Sequence, residues 1–257
     1  MWAMSTIGIL YPGHSAEDDY PWVEANLRSQ GHDVTLPLVH TSVGEDAHRV
    51  DALLDLGGAD RLAAGADRLP RGCDGVVWAC TSGSFVFGGA GAREQVDRLA
   101  AHTGLPATST SWAFVRACRL LGVSRVAVAA SYPQDVAEAF VAFLDEAGIT
   151  VTAMGSHGIV TAAEVGTLGR ADVLRLAAGV DRTGAQAVLV PDTALHTLRW
   201  LEELETGLGT VVLTANQVSV HAGLGLVGEV PAVDGLGALF AEGTRQDRVA
   251  DRAGAAT

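Results

Sequence analysis

The sequence predicts an α/β fold of two pseudo-symmetric Rossmann-like lobes with parallel sheets and an active-site cleft between them. Three observations predict it. Strand-like and helix-like patterns alternate along the chain, as in βαβ units. Two runs, Gly75-Val76-Val77-Trp78-Ala79 and Ala187-Val188-Leu189-Val190, are apolar without polar alternation, as expected of parallel strands buried on both faces. The order of features also restarts midway, which reads as an internal duplication. A first strand ends in Tyr11-Pro12, and a later one leads into Tyr132-Pro133.

Each element has its own local reason. Residues 6–10 are an apolar strand, and 16–29 have helical spacing. Gly31-His32-Asp33 turns the chain into a second strand at 34–36. Helical spacing returns at 47–56 and 59–69, broken by Gly57-Gly58. Strand 76–79 follows, then a helix at 93–103 stopped by Gly104-Leu105-Pro106, then a helix at 111–121 capped by Ser111. After the restart come a strand at 125–130, a helix at 133–147 with proline in its first turn, and a strand at 150–153. Residues 162–180 are mostly helical, 188–190 a strand, 196–208 a helix, 211–214 a strand, and 216–223 a short helix. The expected division is lobe one at 5–112, completed by 216–242, lobe two at 113–215, and a charged, Ala/Gly-rich flexible tail at 245–257.

Composition narrows the function. A chain of 257 residues with 48 % apolar residues has ample core. A net charge of −13 argues against a nucleic-acid partner, which needs a basic face. It leaves anionic substrates open, because backbone N–H groups bind carboxylates inside acidic proteins. No apolar run is long enough to span a membrane. Three cysteines and no secretory pattern at the N-terminus predict reduced thiols in the cytoplasm. The histidines show no metal-ligand spacing, and Gly88-Gly89-Ala90-Gly91-Ala92 lacks the features of a phosphate loop.

The candidate site lies at two strand tips. Cys80-Thr81-Ser82-Gly83-Ser84 follows one buried strand, and Pro191-Asp192-Thr193-Ala194-Leu195-His196 follows the other. Ligands of open α/β sheets bind just past the carboxyl ends of strands. A thiol and a carboxylate facing each other there make a two-base proton-transfer site. The loop after Cys80 is expected to present N–H groups and hydroxyls that lower the thiol pKa or hold a carboxylate.

Ala79-Cys80-Thr81-Ser82, Ser131-Tyr132-Pro133-Gln134-Asp135-Val136 and Thr214-Ala215-Asn216-Gln217 resemble the aspartate/glutamate racemase superfamily. The likeness is greatest to its maleate cis-trans isomerase and arylmalonate decarboxylase branch. The resemblance implies a two-lobed enzyme that needs no cofactor or metal, acts beside a carboxylate of a small acid, and forms a homodimer. It implies that Cys80 takes the first of the superfamily's two cysteine positions. Pro12, Gly13, His14 and Tyr132 become substrate contacts, together with Thr81, Ser82, Thr193 and Asn216. Three positions depart from the pattern. Asp192 stands at the second cysteine position, Ala162 where maleate isomerases tend to carry asparagine, and His14 in place of a polar amide. The decarboxylase branch uses a cysteine at the second position and lacks one at the first, the reverse of this chain.

Three functions follow in order of expectation. The first is isomerisation or racemisation, with Cys80 and Asp192 handling a proton on opposite faces of a carbon beside a carboxylate. The second is decarboxylation of a malonate-type acid in an apolar pocket lined by Trp78, Phe85, Phe87 or Trp112, the thiol reprotonating the carbanion. The third is a non-catalytic protein that binds a small acid.

Overall fold

The computed structural model describes residues 4–13 and 15–241, so His14 and the expected tail lie outside the described residues. The chain begins with β1 (Ser5–Pro12), α1 (Asp19–Ser29), β2 (Val34–Thr35), β3 (Leu38–Thr41), α2 (Val50–Leu56) and α3 (Ala59–Ala66). It continues with β4 (Gly75–Trp78), the single turn α4 (Ser82–Phe85), α5 (Gly88–Thr103), β5 (Ala107–Ser109) and α6 (Thr110–Leu120). The second series is β6 (Arg125–Ala130), α7 (Gln134–Glu146), β7 (Thr150–Ser156), α8 (Ala162–Gly166), α9 (Arg170–Ala178), β8 (Ala187–Val190), α10 (Leu201–Leu208) and β9 (Val211–Thr214). Helices α11 (Ala215–Val227) and α12 (Ala238–Ala241) close it.

These strands form two all-parallel sheets of matching order. The first runs β2-β1-β4-β5, with β3 continuing the β2 edge, and the second runs β7-β6-β8-β9. The repeat expected from the sequence is therefore visible as a repeated topology. In each sheet the central strand pair, β1–β4 or β6–β8, carries the functional tips. All four residues of β4 and all four of β8 are buried, which explains their unbroken apolar runs.

The first edge differs from expectation. Pro37 lacks an N–H and splits the edge, so β2 pairs with Ser5 and Thr6 while β3 pairs with residues Ile9 to Pro12. The Pro37 carbonyl still accepts from the Ile9 N–H at 2.9 Å. Ser111 is also not the cap of α6. It lies inside the helix and donates its hydroxyl to the Thr81 carbonyl at 2.8 Å, holding the Cys80 loop.

The last long helix, α11, crosses back onto the first sheet. Gly223 makes this possible, since a Cβ there would stand 2.8 Å from Ile7 and 2.9 Å from Val77. An aromatic seam joins the two halves. Phe85 packs on Phe140 at 5.1 Å and on Tyr132 at 5.9 Å, and Phe114 packs on Phe140 at 5.6 Å. The two sets of strand tips are thereby fixed around one cleft.

Candidate active site

A cavity of about 240 Å³ opens between the carboxyl ends of the two sheets. Pro12, Gly13, Cys80, Ser82, Asp192 and Thr193, all foreseen from the sequence, line it. Thr81, Tyr132 and Asn216 stand behind this layer, buried and outside the lining.

Cys80 is 3 % exposed. The chain leaves β4 and turns at once into α4, so the Gly83 N–H donates to Cys80 Sγ at 3.3 Å and the Ser82 hydroxyl lies 3.9 Å away. Position 83 has little room for a side chain: a Cβ would sit 3.1 Å from Sγ and 3.2 Å from the Trp78 ring. The expectation of a lowered thiol pKa is corrected by this geometry. Burial pushes the Cys80 thiol up to about 12, outweighing the opposing Gly83 and Ser82 hydrogen bonds, and the Asp192 charge adds to the rise. Desolvation wins because hydrogen bonds to sulfur are weak. The resting group is a thiol, a proton donor.

Asp192 is also 3 % exposed. Its Oδ1 accepts from the Ala194 N–H at 2.9 Å and its Oδ2 from the Ser131 hydroxyl. It caps no helix, since the next helical turn starts at Leu198. The tip is pinned from the other half of the molecule. The Thr193 carbonyl accepts from the Tyr11 hydroxyl at 2.9 Å and lies 3.3 Å from Asn216 Nδ2, which donates to the Asp19 carboxylate at 3.0 Å. Asp19 receives the Thr197 and Leu198 N–H groups as well, and its burial raises its pKa. Tyr132 donates to the Pro191 carbonyl at 2.8 Å, so its phenol braces the Asp192 tip. Burial drives that phenol's pKa well above its ordinary value.

Sequence reasoning missed the third wall. The segment at 43–48, between β3 and α2, contributes Val43, Asp46, Ala47 and His48, and α2 adds Leu53 and Leu56. This segment is clasped to the other half. Asp46 accepts the N–H groups of Ala162 and Ala163 at 2.9 and 3.2 Å, and the His48 N–H donates to the Val160 carbonyl at 2.7 Å. The apolar side chains of that wall, Val43, Ala47, Leu53 and Leu56, are aliphatic, and Tyr11 is the aromatic ring among the described lining residues besides the His48 imidazole. Of the aromatics expected there, Trp78 and Phe85 are in the core, Trp112 packs on Phe143, and Phe87 lines a separate groove against Gly91 and Leu99. His196, at the end of the second tip, pairs with Asp18 at 2.7 Å and is not among the described lining residues. Among the described residues no three His, Cys, Asp or Glu side chains gather to hold a metal ion.

Two parallel α/β halves with a thiol at one strand tip and a carboxylate at the other define a two-lobed enzyme of the aspartate/glutamate racemase superfamily. The protein-family model for arylmalonate decarboxylase matches residues 57–240, and the chain belongs to that family. The arylmalonate decarboxylase of Bordetella bronchiseptica is 34 % identical over 168 residues, 63 % of this chain and 69 % of that protein. A solved arylmalonate decarboxylase in liganded form, with one glycine changed to cysteine and one cysteine to serine, superposes with a TM-score of 0.77 at 27 % identity, covering 92 % of this chain and 99 % of its own. A maleate isomerase of Pseudomonas putida S16, solved with maleate, has the same fold, with a TM-score of 0.83 at 20 % identity over 95 % of this chain and 100 % of its own. No helix among the described residues is long and apolar enough to cross a membrane.

Proposed function

We propose that this chain is a cofactor-independent decarboxylase of a malonate-type acid, with Cys80 as the proton donor. The observation that carries the reading is the buried Cys80 thiol lining a cavity that also presents the apolar side chains of Val43, Leu53 and Leu56. Isomerisation by thiol addition needs a thiolate, and decarboxylation needs only an acid. The Cα–carboxylate bond breaks, CO2 leaves, and the electron pair stays as an enediolate. The Cys80 proton then moves to Cα, and solvent reprotonates the sulfur. An apolar wall at Val43, Leu53 and Leu56 supports this step, because a carboxylate placed against it is poorly solvated while neutral CO2 is not. Ser82 and the N–H groups of the two tips are the groups we assign to the carboxylate that stays. Family membership and the cysteine-relocated relative in liganded form support the same reading.

Racemisation or isomerisation is the second reading, and Asp192 favours it. A carboxylate across from a thiol supplies a base for one face and an acid for the other. The three buried, unbridged cysteines support a reducing compartment such as the cytoplasm.

The test is proton NMR in D2O with 2-methyl-2-phenylmalonate. The expected product is 2-phenylpropionate deuterated at Cα and of one hand, because a single donor serves one face. Cys80→Ala should abolish turnover and retain binding. Cα exchange of a chiral acid, or cis–trans change of maleate, without CO2 release would overturn decarboxylation in favour of the second reading.

A further inference from the structure

We propose that Gln95 is a positioning residue for the Cys80 thiol, acting from behind the cleft through the backbone of Gly83. This role rests on the reading of Cys80 as the proton donor. Gln95 lies on α5, is 8 % exposed and is not among the described residues lining the cleft, so it acts at one remove from substrate. Its Nε2 carries two hydrogens. One goes to the Gly83 carbonyl and one to the Gly57 carbonyl, each at 2.8 Å. Reversing the amide would set its oxygen against two carbonyl oxygens, so chemistry fixes its orientation.

The shortness of α4 explains why Gly83 needs this partner. The helix is a single turn, and the Phe87 N–H that would close a further turn on Gly83 donates to the Ser84 carbonyl at 3.2 Å instead. The Gly83 carbonyl is met by side chains, Gln95 at 2.8 Å and Trp78 Nε1 at 3.3 Å. The N–H of the same glycine donates to Cys80 Sγ at 3.3 Å. Gly57 ends α2, which carries Leu53 and Leu56 on the cleft wall. One amide therefore ties the turn beneath the thiol to the apolar wall. The arrangement has a cost: Gln95 Oε1 is sealed and has no hydrogen-bond partner among the described residues. Methionine would fill similar space without that cost, so what the glutamine adds is the placement of two carbonyls. When Cys80 gives up its proton, the S–H electron pair stays on sulfur, and the Asp192 charge opposes the thiolate. The Gly83 N–H is then a charge-assisted donor, stronger toward thiolate than toward thiol. An interaction that strengthens as the proton leaves speeds delivery and leaves substrate binding alone.

The experiment uses the full chain with Gln95→Met, which keeps length and removes both donors. Val96→Ala, at a buried neighbour on the same helix, is the control for lost stability. In Gln95→Met, kcat for 2-methyl-2-phenylmalonate should fall about tenfold with KM within about twofold, as for one lost charge-assisted hydrogen bond. The solvent deuterium isotope effect on kcat should rise, because proton delivery slows. Hydrogen exchange of the Gly83 amide, followed by NMR, should quicken about tenfold or more. Val96→Ala should lower the melting temperature and leave kcat, the isotope effect and Gly83 exchange near the parent's. Gln95→Asn, whose amide falls one methylene short of Gly83, is the second variant should Gln95→Met not fold, and the same losses are expected. Unchanged kcat, an equal loss of kcat in Val96→Ala, or unchanged Gly83 exchange overturns the proposal. Turnover by a parent whose Gln95→Met variant is indifferent sinks the clamp alone. A parent that releases no CO2 sinks the decarboxylase reading, and the Gly83 exchange rates still decide whether Gln95 holds the Cys80 turn.

Discussion

A thiol buried as Cys80 is should tax the fold at alkaline pH by a predictable amount. Its pKa is held near 12, against about 9 for a free thiol. The folded chain therefore keeps a proton that the unfolded chain releases. Stability from this group is intact below the free value and falls as pH climbs from about 9 toward 12. At about pH 10 the unfolded thiol is about 90 % ionised and the folded one about 1 %, a differential of about 1.4 kcal/mol. At about pH 8 the same differential is under about 0.1 kcal/mol. Cys80→Ser removes the titrating group and leaves Cys118, whose thiol burial also pushes up to about 12, common to both proteins. Urea unfolding of parent and variant under reductant, at the two pH values, isolates the difference. The parent should lose about 1.4 kcal/mol more than Cys80→Ser between them. Parallel losses, or a thiolate absorbance of the folded parent that Cys80→Ser lacks by about pH 10, would refute a desolvated thiol and with it the resting proton donor.

Two further substitutions test the scaffold. Gly57→Ala should destabilise the chain by about 2 kcal/mol or more and weaken turnover, because its Cβ would lie 2.0 Å from the Gly83 carbonyl behind Cys80; thermal unfolding and steady-state rates check both. Ser131→Ala leaves Asp192 Oδ2 without its hydroxyl donor and should cost about 1.5–3 kcal/mol in urea unfolding, the range for a hydrogen bond to a charged group.

What was legible in the sequence follows from what is local. β4 and β8 read clearly because burial on both faces demands apolar residues at every position, and Cys80 and Asp192 stood out by interrupting those runs. β3 was hidden because Pro37 breaks the edge in the chain yet leaves the backbone direction intact. The segment at 43–48 carries no periodicity. It joins the site through tertiary bonds such as Asp46 to Ala162 and His48 to Val160, which no spacing encodes. Ser111 has the residue type of a cap, and only the fold shows its hydroxyl engaged with the Thr81 carbonyl. The thiol pKa was misjudged for the same reason. Donors next to Cys80 are visible in sequence, whereas the desolvation that outweighs them comes from residues distant in the chain.

The duplicated architecture makes the two tips equivalent in place, and the residues on them make them unequal in chemistry. One tip offers a proton on sulfur. The other holds a carboxylate tied to Ser131 and the Ala194 N–H. The negative charge of Asp192 raises the Cys80 pKa further, so the carboxylate helps keep the acid loaded. On the proposed reaction the same charge acts a second time. An enediolate forming between the tips is negative, so the fixed carboxylate opposes both its formation and the thiolate that its protonation leaves on sulfur, and the Ser82 hydroxyl and the N–H groups of the tips have to offset that charge. A pair of cysteines would have no such bias, since either could give or take the proton. Replacing one of them by a carboxylate gives the site a resting direction, with the proton on sulfur, so a single delivery from Cys80 after loss of CO2 draws on the thiol alone, whereas exchange between two faces also draws on Asp192 as a base.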